Sequence, residues 1–500
     1  MEASHFLAFL PETVLILGAL ALFVACLGDS GILWARPVSL ATAVASILAA
    51  VISSGQEATL FDGAFRSDGF SQWLKVVILI GYGLVLLLSG GLHDVRDEIH
   101  AEYHLFLASS VLGLCLLVST TEMITLLVCL ELASFPLYML VPMRRERPAQ
   151  KSQMESAMKY MMFGIAANGV MLFGMSYLFG LTGTTSLPEM MPRLAPQLGS
   201  PLAIAGLLLT FAGLYYKLAI FPFHFWTPDV YQGAANETAG LIASLPKLGA
   251  VAVLVRFATL AGPDSRGVAG VLAVLAVLSM FYGNLIALVQ TDLKRLLGFS
   301  GIAHAGYALM GFVASDGPGY TASLFYITSY VLMVLACFVV ICRVSPDGTN
   351  LPIQGLAGLH RRSPLLAVTL VVGVFALAGL PPFAGFMGKL ALLKSALARG
   401  YLWLVVLAVL NSAVAVYYYL SVVRAACFGE LGENVAPIRV DVGTRILCVI
   451  LILGILGLGI APAGLFDTIS SSVARIMPAS GKAAMADSLA RPAMYVSGQR

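Results

Sequence analysis

Glu131, Lys217, Lys247 and Lys389 each lie well inside a stretch of apolar residues. A charge held at the middle of a bilayer costs roughly 3 to over 10 kcal/mol, depending on how the cost is measured. Such side chains persist where they pair with one another or carry ions. Glu131 sits in Leu127-Val128-Cys129-Leu130-Glu131-Leu132-Ala133-Ser134-Phe135-Pro136. A carboxylate there calls for a cation. Lys217 stands at comparable depth in Tyr215-Tyr216-Lys217-Leu218-Ala219-Ile220-Phe221-Pro222-Phe223-His224. Burial favours a neutral amine, and a close carboxylate favours the ammonium. A lysine whose partner approaches and retreats therefore takes up and releases a proton. The same two residues also read as a static pair that fixes helix packing, although buried pairs often only break even in energy.

Lys247 follows Pro246 with no acid close by in sequence. It is too deep to snorkel to the interface, so it is expected to face a hydrated interior and relay protons. Lys389 follows Pro381-Pro382-Phe383-Ala384-Gly385-Phe386-Met387-Gly388. Prolines there free backbone carbonyls, and Lys389 reads as the exit-side group. His304, in Gly301-Ile302-Ala303-His304-Ala305-Gly306-Tyr307, suits a relay or a hydrogen-bonded place in the core. His224 stands beside Phe225, Trp226, Pro228 and Asp229, and either links the first site to the middle of the chain or caps a helix break. Arg144, Arg145 and Arg147 read as a solvated loop, and Lys294-Arg295 reads the same way. No residue reads as a covalent catalyst. The seven cysteines form no CxxC pair, so metal and iron–sulfur ligation are not expected, and they read as small core residues.

The elements that must position these groups are membrane helices. The 500 residues are 59% hydrophobic and 11% charged, with a mean hydropathy of +0.91. A soluble domain carries roughly 25% charge. The chain is therefore expected to be all-α and polytopic. Its net charge of +3 is too small to point to a nucleic-acid partner. The first apolar run lacks a basic flank and reads as a retained span.

About fourteen spans of roughly 20 residues can be drawn: 9–28, 37–54, 72–91, 102–119, 121–142, 155–181, 201–226, 236–259, 267–290, 294–314, 319–343, 364–396, 401–426 and 445–468. Two of them, 201–226 and 364–396, exceed a straight crossing and contain Pro222 and Pro381-Pro382. Such segments point to discontinuous helices at a translocation path. Loops after odd-numbered spans carry 14 Lys and Arg, among them Arg144, Lys151 and Lys294. Loops after even-numbered spans carry 7, among them Lys75 and Arg256. The odd loops are therefore expected in the cytoplasm and both termini outside. The polar stretch after about residue 470 is expected to fray.

The polar positions repeat. Glu131 and Lys217 are 86 positions apart, His304 and Lys389 are 85 apart, and both lysines open a Lys-Leu-Ala string. Spans four to eight would match spans nine to thirteen. Five is odd, so the two units would be inverted, with ion sites near the midplane. The organisation expected is residues 1–100 as three leading helices, 101–260 and 261–430 as two inverted repeats, and 431–500 as a last span with a tail.

Phe221-Pro222-Phe223-His224-Phe225-Trp226-Thr227-Pro228-Asp229-Val230-Tyr231 resembles the broken-helix motif of the antiporter-like membrane subunits of respiratory complex I, the NADH–quinone oxidoreductases. Thr-Pro-Asp-Val is similar to the N-type subunits, whereas the L, M and Mrp-type chains usually have Leu-Pro-Asp-Ala. Gln290-Thr291-Asp292-Leu293-Lys294-Arg295-Leu296-Leu297 and Gly379-Leu380-Pro381-Pro382-Phe383-Ala384-Gly385-Phe386 also resemble the family's motifs. One stretch departs from it. Where the family usually reads Glu-Gly-Ala-Pro-Thr-Pro, this chain reads Gln232-Gly233-Ala234-Ala235-Asn236-Glu237.

The resemblance implies proton translocation without redox chemistry on this chain. It implies Glu131 and Lys217 as an interacting pair, Lys247 as the central relay and Lys389 as the terminal lysine. Flavin, iron–sulfur clusters and quinone are expected on partner subunits, and the partners are other membrane subunits and the lipid of a bacterial inner membrane. Two alternatives stand beside this: a subunit of an Mrp-type cation/proton antiporter, and a structural spacer that does not pump.

Overall fold

Lipid offers no hydrogen bonds, so a chain this apolar must satisfy its backbone within helices. The computed structural model describes residues 3–28, 31–147, 152–261, 266–430 and 437–477. Lys151 and the tail from 478 onward lie outside the described residues. The helices are α1 (Ala3–Ala8), α2 (Leu10–Cys26), α3 (Gly31–Ser53), α4 (Gly69–Ser89), α5 (His100–Ser119), α6 (Met123–Leu140) and α7 (Gln153–Thr182). Next come α8 (Leu187–Leu194), α9 (Pro201–Thr210), α10 (Ala212–Leu218), α11 (Thr227–Gly233), α12 (Asn236–Ala261), α13 (Arg266–Ala287) and α14 (Leu293–Ala314). The last are α15 (Gly317–Val344), α16 (Leu359–Arg362), α17 (Pro364–Ala378), α18 (Ala384–Ala398), α19 (Leu402–Phe428), α20 (Val442–Ile460) and α21 (Ala463–Ile476). A small hairpin, β1 (Ala58–Leu60) against β2 (Phe65–Ser67), joins α3 to α4.

Among the described residues, 11 helices are long and apolar enough to cross a membrane. The three most enclosed, α12, α14 and α15, form the centre, with 94% or more of their apolar stretch buried. They carry Lys247, His304, Tyr307, Tyr326 and Tyr330.

The two long proline-bearing segments are broken. α9 and α10 meet at a 42° bend. α10 then ends where Ala219 takes a left-handed φ of 63°, and the chain turns before α11. The segment expected at 364–396 is α17 and α18, separated at Gly379, whose φ is 82°. Both breaks end in the same six-residue hydrogen-bonded cap: Ile220 N–H to Tyr215 O at 2.9 Å, and Leu380 N–H to Phe375 O at 3.1 Å. The span drawn at 445–468 is also two helices, α20 and α21, because Pro462 cannot continue the first.

Acidic caps start the helices at both ends of the bundle. Glu122 accepts from Thr125 N–H at 2.6 Å, Asp292 from Arg295 N–H at 2.9 Å, and Asp316 from Gly319 N–H at 2.8 Å. At one end Asp94 binds Arg144 at 2.9 Å and Arg147 at 2.6 Å. There too, Asp229 joins Lys159 to Arg295, at 2.7 Å each. The other end holds Asp68 with Arg256 at 3.0 Å and Asp316 with Arg399 at 3.0 Å.

Two local arrangements recur. The start of α6 pairs with the turn after α7, Met123 N–H to Thr185 O at 3.0 Å and Leu187 N–H to Thr121 O at 2.9 Å. The start of α14 pairs with the loop after α15 in the same way, Leu293 N–H to Leu351 O and Ile353 N–H to Thr291 O, both at 2.9 Å. The helix before each also packs on it through a glycine. A Cβ on Gly113 would lie 2.3 Å from Ala133 N, and one on Gly283 would lie 2.6 Å from Ala303 N, so only glycine permits these approaches.

Candidate functional site

α6 and α10 bring the first pair into one region without joining it. Glu131 is half-buried, and its Oε1 accepts a hydrogen bond from the Asn168 amide of α7. Lys217 is buried, and its Nζ has no hydrogen-bond partner. It lies over the rings of Tyr138 and Tyr160, at 6.0 and 5.9 Å from their centroids. No ion pair joins Glu131 to Lys217, yet the carboxylate is near enough for its charge to act on the lysine. The expected partners thus face one another across a gap. An aromatic cluster frames the lysine: Tyr160 stacks on Trp226 at 4.6 Å, and Trp226 Nε1 donates to Tyr216 O at 3.1 Å.

Lys247 is fully buried on α12, and its Nζ donates to Gly301 O on α14 at 2.8 Å. It also lies 5.1 Å from the centre of the Tyr330 ring. The space at Gly301 is shared: a Cβ there would meet Lys247 Nζ at 2.8 Å, the Tyr330 hydroxyl at 3.0 Å and the Tyr231 hydroxyl at 3.8 Å. Neither hydroxyl has a hydrogen-bond partner within the protein.

One turn beyond Gly301, His304 is held by two tyrosines. Its Nδ1 is 2.6 Å from the Tyr326 hydroxyl and its Nε2 is 3.0 Å from the Tyr419 hydroxyl, which also bonds Ser300. Both Lys247 and Lys389 act on it electrostatically. His304 therefore stands between the two lysines.

Lys389 Nζ donates to Leu377 O at 3.1 Å and Ala378 O at 3.0 Å, and lies 4.8 Å from the centre of the Tyr307 ring. The cap at the end of α17 satisfies the carbonyls of Phe375 and Ala376 and leaves these two open. The broken helix supplies the carbonyls, and the lysine of the next segment fills them.

His224 stands apart. Its ring contacts Phe221, Phe225 and Tyr282, with centroids 5.3, 4.4 and 4.2 Å away, and neither nitrogen has a polar partner.

Several basic residues read from the sequence as loop charges are buried instead. Arg144 is enclosed, bonded to Asp94 and to backbone carbonyls at Gln232 and Gly348. Lys294 donates to Ala234 O at 2.9 Å. Lys75 lies inside α4 in a fully buried ion pair with Glu12 at 2.8 Å, and Arg256 pairs with Asp68. A count of loop charges cannot separate these from solvated ones, because each sits within a turn or two of a span end. Two drop out on each side, so the bias keeps its direction. The tyrosine hydroxyls around Gly301 and His304 were also not anticipated. The four-residue spacing of Tyr326 and Tyr330, which puts both on one face of α15, was their available signal.

The family described as "NADH:quinone oxidoreductase/Mrp antiporter, TM" matches residues 120–415. NADH-quinone oxidoreductase subunit N 2 of Opitutus terrae is 62% identical over 473 residues, which cover 95% of this chain and 99% of that protein. A chain of respiratory complex I from Thermus thermophilus superposes with a TM-score of 0.78 at 31% identity, covering 91% of this chain and 98% of that one. A chain of the Mrp complex from Dietzia sp. shares the fold, with a TM-score of 0.80 at 21% identity, covering 97% and 99% of the two chains. The higher identities are on the complex I side, and the chain belongs to the subunit N family of the antiporter-like NADH–quinone oxidoreductase membrane subunits.

Proposed function

We propose that this chain translocates protons within a membrane-bound NADH–quinone oxidoreductase, driven by quinone reduction in a partner subunit. Flavin, iron–sulfur clusters and quinone belong to those partners, and this chain supplies the buried acid and bases. The observation that carries the reading is the run of polar groups through the centre. Lys247, Tyr330, His304 with its two tyrosines, and Lys389 follow one another across the packed helices α12, α14, α15, α18 and α19. Buried hydroxyls and amines left unpaired by protein bind water, and water between them completes a proton path.

Glu131 and Lys217 form the switch. While Glu131 is held by Asn168, Lys217 has no anion in contact and can pass its proton inward. When the carboxylate closes on the lysine, the ammonium is restored. Moving one charge against 100 mV costs about 2.3 kcal/mol, within reach of one buried charge pair forming or parting. Lys247 relays, His304 bridges, and Lys389 releases on the far side. His224, with no polar contact, positions the turn after α10 through its aromatic neighbours.

The scaffold we infer has fourteen spans: the 11 long helices, the bent pair α9–α10, and the shorter apolar helices α2 and α17. The paired starts of α6 and α14, at opposite ends of the bundle, support two inverted repeats over 101–260 and 261–430. The recurring glycine contacts, each 170 positions apart (113 to 283, 133 to 303), point the same way. The end of the bundle at Asp94 and Arg144 faces the cytoplasm of a bacterial inner membrane, with both termini at the other.

The test is Lys217→Met in the assembled complex. Quinone reduction should persist and proton uptake into vesicles should cease. Full pumping by that variant would refute the role.

A further inference from the structure

We infer that Glu237 is a proton-loading carboxyl at the cytoplasmic mouth of α12, feeding Lys247; this rests on the proton-translocating reading above. Glu237 is the second residue of α12, and only 6% of it is exposed. Its Oε2 has no hydrogen-bond partner. Five groups face it from the packed elements: Asp94 after α4, Tyr103 on α5, Lys294 on α14, and Cys342 and Arg343 on α15.

Each cation among them is committed elsewhere. Lys294 donates to Ala234 O at 2.9 Å. Arg343 donates to Thr444 Oγ1 at 2.7 Å and pairs loosely with Asp441 at 3.8 Å. Asp94 is occupied by Arg144 and Arg147. The Tyr103 hydroxyl accepts from Thr238 at 3.4 Å. A buried carboxyl with no counter-ion in contact is costly to keep for packing alone.

Its place in the chain sharpens the point. The related motif has Glu at the position of Gln232 and Pro at the position of Glu237. Here the acid is absent from the first, whose amide oxygen accepts from Arg295 at 3.2 Å, and present at the second. The protonatable group stands five residues further on, in the first turn of the helix that carries Lys247. The free N–H groups of that turn stand beside a carboxyl that the surrounding helices enclose. Ten residues of α12 separate Glu237 from Lys247, about 15 Å along the axis. Lys294 lies two turns before Gly301 on the neighbouring helix, on the face that meets Lys247. Arg145 and Arg147, both partly open to solvent, mark this end of the bundle as its water-facing rim.

The experiment uses the whole complex in vesicles, with quinone reduction and proton pumping followed together. Glu237→Gln should lower the protons pumped per quinone at least fivefold and flatten the pH profile of pumping. Glu237→Asp should retain most of it. The double variant Gln232→Glu with Glu237→Pro, which returns the acid to the other position, should restore it. Lys247→Met serves as the reference. If Lys247→Met stops pumping while Glu237→Gln pumps as the parent does, the loading role is wrong and the functional reading stands. If neither changes pumping, the functional reading itself fails. If Glu237→Asp and the double variant are as impaired as Glu237→Gln, the residue is structural and the inference is overturned.

Discussion

Lys247 and Lys389 share a property that Lys217 lacks. Each gives its protons to backbone carbonyls, dipoles that steady an ammonium without neutralising it. Lys217 has only aromatic faces around its ammonium, with the Glu131 carboxylate near enough for its charge to act on it. Gly301 is the residue on which the Lys247 arrangement depends, because three polar atoms converge where its side chain would be. Gly301→Ala should displace the Lys247 ammonium and reduce pumping as far as Lys247→Met does, with the complex still assembled. Vesicle pumping assays compare the two directly. The Glu12–Lys75 pair is a different case. Both side chains are fully buried, with no further hydrogen bonds. Removing one partner of such a pair costs about 3–5 kcal/mol, while replacing both by apolar residues is often neutral. Lys75→Met alone should lower the thermal stability of the complex markedly, and Glu12→Leu with Lys75→Met should recover most of it. Equal loss in the single and double variants would remove the pair from the account.

At the scale of elements, helix ends explain the site. α17 stops at Gly379, its cap closes two carbonyls, and the next two face Lys389. Lys389→Met should leave these carbonyls to water and speed hydrogen exchange at the α17–α18 junction, measured by mass spectrometry, with α6 and α7 unchanged. At the rim that also holds Asp316 and Arg399, Asp68 both caps α4 and holds Arg256 of α12. Burial alone would raise its carboxyl. The Arg256 guanidinium, the Ser71 N–H and Arg66 outweigh burial and hold it below the usual carboxylate range. A depressed carboxylate stabilises the folded state above its ordinary titration range, and that contribution is lost as pH falls through the lowered value. Asp68→Asn should therefore be less stable than the parent at neutral pH. The difference should shrink below about pH 4, near the ordinary Asp value, and thermal melts across pH 3 to 7 read it.

Across the whole molecule, charged residues tie distant parts of the chain at two rims while the lysines and histidine occupy the interior between. Asp94 binds the loop after α6, Asp229 bridges α7 to α14, and Asp68 joins the hairpin to α12. The orientation inferred from these rims has a direct test. With Cys26 and Cys427, the two half-buried cysteines, replaced by Ser, Glu146→Cys should react with an impermeant thiol reagent only from the cytoplasmic face, and Glu57→Cys only from the outer face. The reverse labelling would invert the topology.

Residue types and their spacing were enough to set the class of molecule and the kinds of its key groups. Apolar runs of membrane length leave no other fold, and an acid or lysine inside one is legible because its cost is so high. Prolines marked the two broken helices for the same reason, since a missing N–H is written in the chain. Contact, by contrast, was settled by how the helices pack. Glu131 turned out to be held by Asn168 and not by Lys217, and His304 turned out to stand between two lysines. Lys75, Arg144 and Lys294 looked like loop charges and proved to be buried. These facts depend on which face of a helix meets which neighbour, and that is set by packing between segments as much as 200 positions apart, as Arg144 and Gly348 are. Local residue type fixes what a side chain can do, and only the assembled helices fix what stands within its reach.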